Sequence, residues 1–90
     1  MPELKLPEVL DQRGAQTVSA QLLSQLGQDM ILDASGIRRL GAVGVEMLIA
    51  AHHQWEQDGT AFEIRNWSQD ALKALSILGV TPQAFAMEGQ

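Results

Sequence analysis

The chain has no cysteine, which excludes disulfides, thiol nucleophiles and zinc–thiolate sites. Basic residues are scarce: six lysines and arginines stand against eleven acidic residues, for a formal net charge of −5. A surface of that sign is repelled by phosphate backbones and anionic lipid, so nucleic acid is not expected as a partner. The only basic cluster, Arg38-Arg39, falls far short of a nucleic-acid stripe and reads as a solvated pair. No apolar run nears the ~20 residues of a membrane span, and the opening residues MPELKLP lack the apolar core of a signal peptide. A soluble cytoplasmic protein without membrane insertion is therefore expected. Three prolines and eight glycines are too few to suggest disorder. Ninety residues correspond to one small domain with a single, modest core.

Catalytic equipment is equally sparse. His52 and His53 are adjacent in a helical pattern, so they point about 100° apart and cannot share a metal. His52 and Glu56 lie four apart but lack an evident third ligand. Ser35 has no obvious base and no Gly-x-Ser-x-Gly elbow around it. Gly36, Gly41 and Gly44 miss the spacing of a P-loop, and its lysine is absent. A small enzyme would have to use Asp33 with His52, the least implausible acid–base pair. The expectation is a non-catalytic chain that needs no metal and no cofactor.

What the sequence does contain is an alternation of strand and helix patterns. Leu4, Leu6 and Val9-Leu10 suggest a first strand that Pro7 confines to a sheet edge or splits into two pieces. Asp11 is placed to cap a helix whose inward stripe is Ala15, Val18, Leu22 and Leu26, widened by Leu23 and closed by Gly27. Met30-Ile31-Leu32, ending in Asp33-Ala34-Ser35, is a short apolar run bounded by turn residues and reads as a buried strand. A turn built on Gly41 and Gly44 leads into a helix over about 44–57. Its inner face is Gly44, Leu48, Ala51 and Trp55, flanked by Val45, Ile49 and His52, with Glu46 and His53 outward. Met47 sits off the stripe, as partial core or a soft contact. After the Asp58-Gly59 turn, Phe62 and Ile64 alternate with Glu63 and Arg65 as in a half-buried strand. Ser68 caps a third helix with Leu72, Leu75 and Leu78 inward, and Gly79-Val80 suits a Schellman ending. Thr81-Pro82 begins a short helical turn through Phe85 or a last edge strand, and residues 88–90 are expected to fray. This alternation predicts an α/β fold of four to five strands, with helices packed largely on one face and an exposed loop over 40–44.

Asp33-x-Ser35-x-Ile37-x-x-Leu40, followed by Ala42-Val43-Gly44-Val45-x-x-Leu48, resembles the signature of STAS domains, usually Asp-x-Ser-x-Val-x-x-Ile-Asp-Ser-Ser-Gly-Leu. Phe62-Glu63-Ile64 resembles that family's next strand, and residues 71–80 its last helix with the Leu-Gly ending. The resemblance implies a STAS-like mixed sheet and a protein-interaction module. The family includes anti-sigma factor antagonists and the domains at the ends of sulfate transporters. Its partners are often kinases of the histidine-kinase-like ATPase fold. Other STAS-like proteins are accessory subunits of lipid-transport ABC ATPases, accompany chemotaxis kinases, or bind small molecules. The resemblance places partner contacts at Leu40, Gly41, Ala42, Val43, Glu46 and Met47, with Asp33, Ser35 and Gly44 shaping the motif. Two positions depart from the pattern: Gly41 replaces the loop's acidic residue, and Val43 falls where partner kinases phosphorylate a serine, with Ala42 at the neighbouring serine. Valine has no hydroxyl, so no phosphorylation is expected at that position, and docking is constitutive or regulated by the partner. Ser35 is the nearest remaining hydroxyl, and local bonding with Asp33 in the strand–loop turn is its expected role.

Overall fold

Proline cannot donate to a strand ladder, and Pro7 divides the first apolar stretch into β1 (Glu3–Lys5) and β2 (Val9–Leu10). The structure, a computed structural model, describes residues 3–85. After β2 come α1 (Gln12–Leu23), β3 (Met30–Asp33), β4 (Arg39–Leu40), α2 (Ala42–Gln57), β5 (Phe62–Arg65), α3 (Gln69–Ile77) and a 3-10 turn at Pro82–Phe85.

The main sheet has the order β1-β3-β5, with both ladders parallel. Leu4, Leu32 and Ile64 share one register row and Met30 pairs with Phe62; this side of the sheet packs into the core. The opposite side carries the rows Glu3–Ile31–Glu63 and Lys5–Asp33–Arg65. The fold is the expected STAS-like α/β arrangement with helices on one face. The strand count differs: among the described residues the main sheet has three strands rather than four or five, and its pairings are parallel rather than mixed. The cause is a separate parallel ladder, in which Val9 pairs with Arg39 and Leu10 with Leu40. These two short strands pair with each other instead of extending the sheet. Residues 82–85 form the short helical turn rather than a further strand.

Asp11 caps α1, accepting a hydrogen bond from the Gly14 N–H at 2.9 Å. Ala15, Val18 and Leu22 are buried as expected. The helix ends at Leu23 with Ser24 as C-cap, so the inward stripe stops early. Leu23 and Leu26 are 63% and 44% exposed, and Gly27, at φ +86°, lies in the turns beyond the helix rather than at its C′ position. Helix α2 begins two residues earlier than expected, with Gly41 as N-cap in extended backbone. Gly44, Val45, Leu48, His52 and Trp55 are buried, Ala51 is half-buried and Ile49 is exposed. The Trp55 indole N–H donates to the Gln28 carbonyl at 2.7 Å, which gives this buried ring its partner. In α3 the buried residues are Ala71 and Leu75, while Leu72 and Leu78 are exposed. The inward line runs through Ala71 and the half-buried Ala74, and small residues hid that phase. The expected Schellman ending is present: Val80 N–H donates to the Leu75 carbonyl at 2.9 Å and Gly79 N–H to Ser76 at 3.1 Å, with Gly79 at φ +76°.

Gly44 lies inside α2, where its role is close approach rather than a turn. A Cβ there would collide with the Leu10 carbonyl oxygen and stand 2.9 Å from Leu10 Cγ. A helix-interior Gly→Ala change ordinarily gains about 1 kcal/mol, but overpacking against a backbone costs about 1–3 kcal/mol. Gly44→Ala is therefore expected to lower stability in urea melts despite its better helix propensity. A variant more stable than the parent would show that α2 moves off β2 without penalty.

Candidate functional site

The segment between β3 and α2 is pinned at almost every residue. Leu6 N–H donates to the Asp33 carbonyl and Ala34 N–H to the Arg65 carbonyl, each at 2.9 Å. Ser68 Oγ, which caps α3 by accepting from Ala71 N–H, donates to the Ile37 carbonyl at 2.6 Å. On the other side the Glu8 carbonyl accepts from Arg38 and Arg39 N–H, and the Leu10 carbonyl from Gly41 N–H at 3.1 Å. Ile37 and Leu40 are buried.

Within this segment Asp33 and Ser35 form a local turn, as expected. Ser35 N–H donates to Asp33 Oδ1 at 2.9 Å. Hydrogen bonds from the Ser35 N–H and then its hydroxyl, with Asn66 and the Lys5 charge adding to them, hold the Asp33 carboxyl below its ordinary value of 3.8. Asn66 faces this turn from the end of β5 in left-handed backbone, φ 59°, a conformation asparagine tolerates. Ser35 itself is exposed.

The expected contact residues separate into two groups. Leu40 is only 7% exposed, buried by the β2–β4 ladder, and Gly44 is buried against Leu10. The loop over 40–44 is thus not exposed throughout, and Leu40 belongs to the core rather than to a contact surface. Gly41 is half-buried. Ala42, Val43 and Glu46 are exposed, Val43 at 45%, and Met47 is half-buried. Val43, Met47 and Ala50 follow one another at helical spacing on one side of α2.

That side of α2 continues into a groove that was not legible as a site. Its walls are Leu22, Leu23 and Leu26 on the α1 side and Met47, Ala50 and Ala51 on α2, with Trp55 at the end and a volume of about 190 Å³. The available signal was Leu23, an apolar residue beyond what the 15/18/22 stripe requires.

His52 is buried, its ring edge-on to Phe62 and Phe85 with centroids 6.0 and 6.3 Å away. Asp33 is engaged with its own turn, so the acid–base pair considered from sequence has separate surroundings. Glu56 Oε2 is buried without a hydrogen-bond partner among the described residues. No cluster of three or more metal-ligating side chains occurs among the described residues. Arg38 pairs with Glu8 at 3.1 Å on the surface, with side chains 78% and 66% exposed, which fits a solvated pair of modest strength. Among the described residues no helix is long and apolar enough to cross a membrane.

A family model described as Mlab, STAS domain, matches residues 1–83. No curated protein and no solved structure gives a significant match.

The depressed Asp33 pKa makes a signed prediction. A carboxyl whose folded pKa lies below its unfolded one contributes stability above 3.8 that is lost as pH falls through the folded value. Asp33→Asn is therefore expected to be less stable than the parent at pH 7, with the two converging in acid. Urea melts at both ends of that range check it. A difference that persists unchanged in acid would assign the effect to shape rather than charge.

Proposed function

The chain belongs to the STAS domain family, and from that membership we propose that it is a non-catalytic interaction module that docks a nucleotide-binding protein partner through the first turns of α2. The partner is a histidine-kinase-like kinase or an ATPase. The observation that carries this reading is Val43: an apolar side chain 45% exposed, in the first turn of a helix whose N-cap makes no side-chain hydrogen bond. The resemblance puts the family's switch serine at this position.

Between Ser35 and Thr60 there is no serine, threonine or tyrosine. A phosphate switch on this helix start has no acceptor, so docking here is constitutive or is controlled by the partner. That favours a second, narrower reading: a permanent accessory subunit of an ABC-type ATPase, rather than a sigma-factor or chemotaxis regulator released by phosphorylation.

Val43→Glu tests the docking surface. Negative charge near a helix N-terminus is mildly favourable, by roughly 0.3–1 kcal/mol, so the fold is expected to melt as the parent does. Partner binding is expected to weaken by several kcal/mol, because a charge buried unpaired on docking is costly. Co-purification of the partner with tagged parent and variant, alongside melting curves, gives the comparison. A variant that folds and binds as tightly as the parent places the interface elsewhere.

A further inference from the structure

The groove between α1 and α2 is mostly apolar, has no lysine or arginine in its lining and has acidic residues beside it. Its floor and walls include Leu22, Leu23, Leu26, Met47 and Ala50. Leu23 and Leu26 are largely exposed. Around it the charge has one sign. The sequence holds no lysine or arginine between Gly14 and Ile37, nor between Leu40 and Ile64, so α1 beyond Arg13 and the whole of α2 lack a lysine or arginine, and the two histidines of α2, His52 and His53, are not among the groove's lining residues. Glu46 stands exposed beside the Met47–Ala50 edge, and Asp58 caps α2 at the far end, accepting from the groove residue Gln54.

We infer that this groove receives an amphipathic α-helix of the partner, with apolar side chains seated between α1 and α2 and lysines or arginines facing Glu46 and Asp58. The inference rests on the docking reading above and extends its surface from Val43 along Met47 and Ala50. The groove runs along α2 from Met47 to Trp55 and against Ser19, Leu22 and Leu23 at the end of α1, a span of about 12 Å at a helical rise, which matches about two turns of a partner helix. The volume of about 190 Å³ lies below the roughly 300–1,000 Å³ of small-molecule sites. It suits one or two inserted side chains better than an enclosed ligand. A second copy of the chain is disfavoured, because it would bring Glu46 and Asp58 against the same acidic groups. An anionic membrane is disfavoured for the same reason.

The test uses the full chain and a fluorescein-labelled helical peptide with leucines at i, i+3 and i+7 and lysines on both flanks. A charge-inverted peptide, with glutamates for the lysines, is the control. The lysine peptide is expected to bind, with the glutamate peptide weaker by tenfold or so and the affinity falling as salt is raised. Leu23→Gln and Ala50→Gln, which keep charge and place a good helix former at each site, are each expected to weaken binding by about tenfold with melting close to the parent's. Glu46→Lys with Asp58→Lys is expected to invert the peptide preference. Equal binding of both peptides, or affinity indifferent to Leu23→Gln and Ala50→Gln, overturns the inference. So does sedimentation showing a dimer that Leu23→Gln dissolves, since the groove then belongs to a second copy. If Val43→Glu disrupts the partner complex while the peptide ignores the groove, the docking reading stands and the groove inference alone falls. If Val43→Glu leaves the partner complex intact while the peptide binds, the docking reading falls, and with it the assignment of the groove to that partner.

Discussion

The backbone of Val9 and Leu10 is the contact on which the rest of the packing depends. A Cβ on Gly14 would collide with the Val9 carbonyl oxygen, and one on Gly44 with the Leu10 carbonyl oxygen. Both helices therefore press directly on a two-residue strand, and no side chain intervenes. The Leu10 carbonyl also accepts from Gly41 N–H, and the Leu10 side chain is fully buried. One short segment thus sets the seat of α1, the start of α2 and the ladder to β4. Close-packed interiors transmit small displacements, so the position of the α2 start is tied to this segment rather than to a flexible loop.

That arrangement sorts the surface by chemistry. The core side of the sheet is covered by helices, and its apolar rows are spent on packing. The large apolar residues left exposed fall outside the main sheet: Val9 in β2, Leu23 and Leu26 near the end of α1, Val43 and Ile49 on α2, and Leu72, Ile77 and Leu78 at α3. The hydrogen bonds that fix residues 33–41 from both sides make the α2 start a preformed surface. A preformed surface loses little conformational freedom on docking, which is what a constitutive interaction module needs.

Signals that are local in the chain were legible in the sequence. Asp11 and Ser68 cap helices because a short polar side chain beside an apolar stripe has few other uses. Gly79-Val80 closes α3, and Phe62 to Arg65 alternates, for equally local reasons. What escaped was tertiary. Leu40 looked like a loop residue because nothing local reveals that it pairs with Leu10, thirty positions away. Gly44 read as a turn former, since a glycine that admits a neighbouring carbonyl has the same letter as one that bends the chain. The α3 stripe was read through leucines although its buried line runs through Ala71 and Leu75. The groove was missed for a related reason: Leu23 counted as an inward residue until the helix proved to end there. In the contact set, which came from the family resemblance, Ala42, Val43 and Glu46 are exposed and Met47 is half-buried, while Leu40 is core.

The uncovered side of the sheet has its own logic. Lys5, Asp33 and Arg65 lie in one row and Glu3, Ile31 and Glu63 in the next, with Arg65 reaching back to Glu63 at 2.9 Å. Among the described residues the outer strands are β1 and β5, of three and four residues. Unpaired strand edges invite a strand from another molecule, and short, charged edges discourage it. An incoming strand here would have to match an acidic and a basic position on each outer strand within a span of three or four residues. The same charges that leave this face without a core therefore guard the chain against growth into fibrils when it is crowded.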